Sequence, residues 1–210
     1  MDDFFSTDGP VFTFIMKAGQ IIILNFIFLL CCVPVVTIVP AMSAMYYGIV
    51  KTVRRERGYV HQEYIRSFKH GLIKGILLSI IYFGLAFLIY LNFHLISDDN
   101  YTYIAVYLVV LAIMAVSFVY IVPVLSRFDM KLLDMIKLSM RMGIRHILTT
   151  LVLIIGGFLV AFLQVRILPI ATITFIPGTW FYVSSFLIER VMKKYMKADD
   201  DTNVDAWYLE

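Results

Sequence analysis

The sequence predicts an all-α protein embedded in a membrane as a polytopic bundle of six transmembrane helices. Of the 210 residues, 61% are hydrophobic and only 16% are charged, whereas soluble domains carry about 25% charged residues. The mean hydropathy is +0.86, and the apolar residues fall into long runs without Asp, Glu, Lys or Arg. A chain of this composition cannot keep its apolar surface in water, which excludes soluble and disordered proteins.

Five charge-free runs define the helices, since a helix needs about 20 apolar residues to cross about 30 Å of hydrocarbon. Four of them have the length of one crossing each, namely 75–97, 100–126, 147–165 and 167–188. The first run, 18–50, is too long for one helix, and its prolines predict a turn that divides it. With residues 11–16 added, it supplies two crossings. Five helices plus a re-entrant segment is the alternative.

Basic residues orient the helices, because short translocated loops are depleted in Lys and Arg. In the six-helix arrangement, 17 of the 18 Lys and Arg residues lie inside, and the exception is Arg166. Both termini are then predicted to be cytoplasmic, with residues 1–198 forming one transmembrane domain and 199–210 an acidic cytoplasmic tail. The five-helix alternative leaves 16 of the 18 basic residues inside, so charge alone favours six helices only slightly.

Two proline-containing segments suggest an internal repeat. The run 33–38, followed by Pro40, has a counterpart in 168–173, followed by Pro177. Repeats with proline-broken helices build the binding sites of many transporters. Coincidence is the equally weighted interpretation of this similarity, because X-Pro turns occur in any multi-span protein. On either interpretation, we expect helix breaks at Pro34, Pro40, Pro169 and Pro177, because proline removes a backbone donor and disfavours the helix interior.

Few polar side chains lie inside the predicted spans, and none of them is Asp or Glu. This argues against a proton- or sodium-coupled carrier with a carboxylate relay, because intramembrane charges normally mark such pathways. Hydrogen bonds between helices are the favoured role of the neutral groups, and ligand binding is the alternative. The neutral candidates are Asn25, Thr37, Asn92, His94, Gln164 and Thr172, and Arg166 is a charged candidate near the outer end of its helix.

The sequence contains no pattern typical of catalysis. Cys31 and Cys32 are adjacent in an apolar run, which is not the spacing of metal ligands or of a disulfide framework. Phosphate-binding, nucleophile and nucleic-acid motifs are absent from the sequence. We therefore expect no enzyme activity, no metal or other cofactor, and no nucleic-acid partner. The oligomeric state is left open.

The segment 127–145 has apolar residues at helical spacing on one face and charged residues on another. This pattern predicts an amphipathic cytoplasmic helix. The favoured role is attachment to anionic lipid headgroups, and the alternative is docking to a partner. The basic residues predicted to make either contact are Arg54, Arg55, Arg57, Arg66, Lys69, Arg127, Lys131, Arg141 and Arg145.

The stretch from Asn25 through Cys31-Cys32-Val33-Pro34-Val35-Val36-Thr37-Ile38-Val39-Pro40-Ala41, continuing to Ser67-Phe68-Lys69, resembles the YesL family of bacterial membrane proteins. The resemblance is best over residues 9–80, and the family's domain has no known function. It implies a small multi-pass plasma-membrane protein, often encoded beside carbohydrate uptake transporters and their sensor kinases.

Two functions follow as hypotheses. The first is a non-enzymatic accessory or regulatory protein in carbohydrate uptake, which contacts a sugar transporter or a sensor kinase within the lipid bilayer. The second is a small permease or channel for a small solute, motivated by the two proline pairs.

Overall fold

The computed structural model describes residues 10–95, 101–167 and 169–196. Within these ranges the chain is all-helical, with seven α-helices and no strand. The predicted acidic tail, 199–210, lies outside the described residues. The helices are α1 (Pro10–Cys31), α2 (Ile38–Gly48), α3 (Val60–Leu95), α4 (Tyr101–Arg127), α5 (Leu132–Arg145), α6 (Ile147–Ile167) and α7 (Pro169–Met192).

A turn at residues 32–34 separates α1 from α2. Pro34 has φ −78° and ψ 121°, an extended conformation that ends α1, and the 3-10 turn Val35–Thr37 leads into α2. A helix break was expected at Pro40, but Pro40 lies in the first turn of α2 and does not interrupt it. The backbone N–H that a proline lacks has no intrahelical partner at that position.

The predicted break is wrong at Pro177 but not at Pro169, where a new helix begins. Pro169 is the first residue of α7, and the helix then continues through Pro177 to Met192. Proline is favoured at the first helical position, where its fixed φ suits the helix. An interior proline removes the donor of one helical hydrogen bond. The N–H of the next residue, Gly178, donates to Asn25 Oδ1 of α1 at 2.9 Å, so a contact from α1 holds α7 next to this proline.

Between α2 and α3 the chain passes through a π-helical turn, Ile49–Arg54. It then reverses at Glu56 and Gly58, which have φ of 54° and 79°. Glycine adopts such left-handed conformations at little cost, whereas Glu56 is held there by its surroundings. Its carboxylate lies 3.0 Å from the Lys17 ammonium of α1, so the pair joins the start of α1 to the end of the π-helical turn.

Helix α3 is antiparallel to α2 and much longer. The backbone N–H of Val39 donates to Ser79 Oγ at 3.4 Å, and Gly75 lies so close to Pro40 that an added Cβ would be 2.6 Å from the proline Cβ. Beyond Ser79, α3 continues to Leu95, which is about 24 Å at 1.5 Å per residue. The turn between α1 and α2 therefore lies well short of the far end of α3.

Helix α5 folds back along α4, as an amphipathic helix with one buried face. Met135, Ser139, Met142 and Gly143 are buried, and an added Cβ on Gly143 would lie 2.4 Å from Val116 Cγ1. At the end of α5 the chain bends by 97° into α6. This arrangement confirms the amphipathic helix that the sequence predicts over 127–145.

Several long apolar helices indicate a multi-pass membrane protein. Within the described residues, three segments are long and apolar enough to cross a membrane: Val35–Arg54, Val60–Phe93 and Ala105–Arg127. The bent pair Leu132–Arg145 and Ile147–Phe162 makes a fourth if it counts as one span, and Ile15–Cys31 is a shorter apolar helix. The count of six spans is therefore not confirmed.

Candidate functional site

The basic residues predicted to contact lipid or a partner fall into two groups. Arg54 and Arg55 are half-buried and Arg127 is buried, so these three do not form an open surface. The exposed members are Arg57, Arg66, Lys69, Lys131, Arg141 and Arg145.

The outer side of α5 carries a group of exposed charges. Its buried face holds it against α4, so the opposite face points away from the bundle. We call the exposed cations on and next to this helix the basic face: Lys131, Lys137, Arg141 and Arg145; the carboxylate of Asp134 is exposed beside them. Two large apolar side chains, Leu133 and Ile144, are also exposed here, at 69% and 61%. Cations beside exposed apolar groups suit both an anionic protein surface and a lipid headgroup layer.

The loop between α4 and α5 is tied to α3. Lys74 donates to Asp129 in an ion pair with 35% and 69% side-chain exposure. The Lys74 ammonium holds the pKa of Asp129 below its usual range, first through this hydrogen bond and then through its charge. This contact sets the position at which α5 begins.

Arg127 does not contact lipid or an outside partner, which corrects the prediction from the sequence. Its Nη2 lies 2.8 Å from Glu189 Oε1, and the two side chains are 1% and 6% exposed. Tyr46 donates its hydroxyl to the same carboxylate oxygen at 2.7 Å. The three residues join α4, α7 and α2. A buried charge is costly without a partner, so this interior position requires the carboxylate that α7 brings.

A second group of charges joins the π-helical turn to α3. Lys51 Nζ donates to Glu63 Oε2 at 2.8 Å and to Tyr47 Oη at 3.2 Å. Its partner Glu63 is in the first turn of α3. Both charged side chains are largely buried, at 9% and 15% exposure. Like the pair in α4 and α7, this contact is structural.

Arg54 connects the π-helical turn to α7. Its Nη1 donates to Ser185 Oγ at 3.1 Å, and its guanidinium lies 4.0 Å from the centre of the Phe186 ring. This is a cation–π geometry, which suits an arginine better than a lysine. Arg54 therefore holds two helices together and is not available as a surface contact.

Sequence reasoning missed Glu189, Tyr46 and the pair of Lys51 with Glu63. The missed signal was the position of the acidic residues. Counting basic residues predicted one boundary of the membrane but did not consider Glu56, Glu63 and Glu189. These carboxylates pair with Lys17, Lys51 and Arg127. Opposite charges at the same ends of several spans predict ion pairs between those ends.

Two of the neutral polar candidates, Asn25 and Thr37, form hydrogen bonds with backbone groups close to prolines. Asn25 is fully buried and accepts the N–H of Gly178. The hydroxyl of Thr37 lies 2.6 Å from each of two acceptors, the carbonyl oxygens of Cys31 and Pro34. These contacts satisfy backbone groups at a helix end and next to Pro177, which is a structural role.

The remaining candidates do not come together in the described part of the structure. Asn92 is exposed and donates to the carbonyl of Leu88 within α3. Arg166 is exposed, with its guanidinium 5.8 Å from the centre of the Phe162 ring. The side chains of His94, Gln164 and Thr172 lie outside the described residues. Among the described residues, no group of three or more His, Cys, Asp or Glu side chains could hold a metal ion.

Comparison with known protein families gives a match over part of the chain. A family model described as a protein of unknown function, DUF624, matches residues 21–93, which run from the middle of α1 to the end of α3. DUF624 is the family to which YesL belongs, so the resemblance is supported at the family level over this stretch. No curated protein and no solved structure matches the chain.

Proposed function

We propose that this chain is a non-catalytic accessory or regulatory protein of the plasma membrane, associated with carbohydrate uptake and acting through contacts of its basic face with a membrane protein partner. The association with carbohydrate uptake rests on the family resemblance. The contact surface rests on the exposed cations of α5, which is the observation that carries the proposal.

The geometry of α5 supports a docking role. Its attachment to α4 uses small and apolar side chains, while four cations stay exposed. The buried charges nearby are paired within the bundle, whereas these four cations are exposed. With four cations and one exposed carboxylate, Asp134, this surface is net positive. A net charge speeds association with a surface of opposite charge and helps to select among partners.

Pull-down from native membranes tests the proposal. The full chain should recover a sugar transporter subunit or a sensor kinase. The triple variant Lys131→Glu, Arg141→Glu, Arg145→Glu should lose that partner. A matched control reverses three exposed cations at the end of α7, Arg190, Lys193 and Lys194, and should keep it. Recovery of the chain alone, or equal loss in both variants, would contradict the proposal.

For the topology, we propose six crossings with both termini in the cytoplasm. The contacts that support it join the start of α1 to the end of the π-helical turn, the start of α3 to that same turn, and the end of α4 to the end of α7. These segment ends carry most of the basic residues. Helix α1 has 22 residues, about 33 Å at 1.5 Å per residue. Its apolar part is Ile15–Cys31, so a complete crossing needs the Lys17 side chain to reach the interface.

Cysteine labelling in intact cells tests this topology on a background in which Cys31 and Cys32 are serine. An impermeant reagent should leave Phe5→Cys and Asp205→Cys unlabelled. Labelling at residue 5 alone would select the five-helix arrangement. Val33→Cys, in the turn between α1 and α2, should be labelled if this hairpin crosses completely, and protected if it ends inside the bilayer.

A small permease or channel is the second candidate, motivated by the turn between α1 and α2, which lies short of the far end of α3. Flux of radiolabelled sugars and small ions through proteoliposomes tests it. Flux equal to that of empty vesicles would remove this candidate and leave the accessory role.

A further inference from the structure

A cavity of about 350 Å³ lies among α1, α2, α4, α6 and α7. Phe28 of α1 and Met42 of α2 line one wall of the cavity, and they lie before and after the turn that joins these two helices. Phe118 of α4 and Trp180 of α7 form further walls. Gly157 of α6, which has no side chain, lies against the indole ring of Trp180. The volume falls in the range of about 300–1,000 Å³ that small-molecule sites occupy.

The cavity wall is apolar. Among the described residues that line it, the polar groups are the hydroxyl of Ser184 and the indole N–H of Trp180. Ser184 already donates to the carbonyl of Phe181 at 3.2 Å. A bound water needs two to four polar partners, and a sugar would need more. An empty space of this size would lose the dispersion contacts of its walls.

One rim of the cavity is continuous with the lipid-facing side of α6. Ala161 lines the cavity and is exposed. Its neighbours Phe158 and Phe162 are 74% and 52% exposed. An apolar group from the bilayer can therefore reach the cavity without crossing a polar surface.

We propose that this cavity binds one hydrocarbon chain of a membrane lipid, with the lipid headgroup outside the bundle. The occupant is apolar because the wall is apolar, and it comes from the bilayer because the open rim faces it. The site does not depend on the basic face, so it stands or falls independently of the proposed accessory function.

Trp180 provides a direct probe. The chain contains two tryptophans, Trp180 and Trp207, so Trp207→Phe leaves Trp180 as the only indole. The full chain with this change is reconstituted in vesicles of phosphatidylcholine whose acyl chains carry bromine, which quenches tryptophan fluorescence on contact. Trp180 should be quenched strongly, with a dependence on the position of the bromine along the chain.

Two matched variants separate the cavity from the general lipid surface. Ala161→Leu places a larger side chain at the rim and should lower the quenching by about half, because the added methyl groups occupy the room of the lipid chain. Ala112→Leu makes the same change at an exposed position of α4 outside the cavity and should leave quenching unchanged. Equal quenching in both variants would overturn the proposal, because Trp180 would then meet only lipid at the outer surface.

Native mass spectrometry of the purified chain in mild detergent gives a second measurement. The unmodified chain and Ala112→Leu should each retain one lipid, and Ala161→Leu should lose it. Absence of bound lipid from the unmodified chain, or a dimer in which Trp180 is not quenched, would overturn the proposal. The dimer would assign the cavity to a second copy of the chain.

Discussion

Arg127 ends α4 in the protein interior, whereas Arg141 lies on the exposed side of α5, although charge counting places both at the cytoplasmic boundary. Arg127 is paired with Glu189, and the two side chains are 1% and 6% exposed. Arg141 is exposed on the side of α5 away from α4. The difference comes from the opposing element, because α7 brings a carboxylate to Arg127. The same residue type is therefore buried in an ion pair in one place and exposed in the other.

The largest expected effect is at the buried pair. Glu189→Ala leaves the Arg127 guanidinium buried without its carboxylate, which should lower the free energy of unfolding by about 3–5 kcal/mol. Glu189→Gln should cost less, because it keeps an acceptor for the Tyr46 hydroxyl. Arg141→Ala should change stability by less than about 0.5 kcal/mol. Thermal unfolding in detergent measures all three, and similar losses for Glu189→Ala and Arg141→Ala would break the comparison.

The next effect concerns the attachment of the basic face. Gly143→Ala places a Cβ 2.4 Å from Val116 Cγ1 and 3.0 Å from the Val116 carbonyl oxygen. Overpacking of this kind costs about 1–3 kcal/mol, and it should also weaken partner recovery because α5 is displaced. Gly84→Ala is the control, since a Cβ there meets nothing within 4 Å. If Gly143→Ala is as stable as Gly84→Ala, α5 is not packed on α4 as described.

Asn25 and Asn92 extend the comparison of buried and exposed groups to a neutral residue. Asn25→Ala leaves the N–H of Gly178 without its acceptor next to Pro177, which should cost about 1–3 kcal/mol. Asn92→Ala removes a contact within one exposed helical turn and should cost less than about 0.5 kcal/mol. Unfolding measurements on the pair check this. Equal costs would mean that the α1–α7 contact does not support the helix at Pro177.

Thr37→Val tests the turn between α1 and α2. Valine keeps the shape but removes the hydroxyl that caps the carbonyls of Cys31 and Pro34, at an expected cost of about 0.5–1.5 kcal/mol. Thr37→Ser should recover most of the loss, because it restores the donor. Partner recovery should stay intact in both. If the Thr37→Val protein is as stable as the unmodified chain but does not bind the partner, Thr37 belongs to a binding site and its role is not structural.

The smallest effect is the pH dependence of Asp129. Lys74 lowers the pKa of this carboxyl in the folded state, so the pair contributes stability above the unfolded pKa of about 3.9. That contribution is lost as the pH falls through the lowered pKa. Because the pair is exposed, it amounts to less than about 1 kcal/mol. Asp129→Asn should remove this difference between pH 7 and pH 3, and an unchanged pH dependence would exclude the pair as its source.

Much of the architecture could be predicted because it depends on local composition. The helix boundaries near Pro34 and at Pro169, and the amphipathic α5, follow from chain geometry and from spacing within one segment. The expected break at Pro177 failed, although proline removes one helical hydrogen bond. Asn25 of another helix, 153 positions away in sequence, accepts the N–H of Gly178 beside the proline, and no local pattern predicts such a contact.

The sequence by itself determined that the chain is helical and membrane-embedded, and which ends of its helices are charged, because hydrophobic runs and charge placement act residue by residue. The tertiary structure alone decided which charges are buried in pairs, which prolines break a helix, and where five helices leave an apolar cavity. These outcomes depend on which side chain each helix presents to its neighbour, and the free energy of a buried polar group is set by that neighbour.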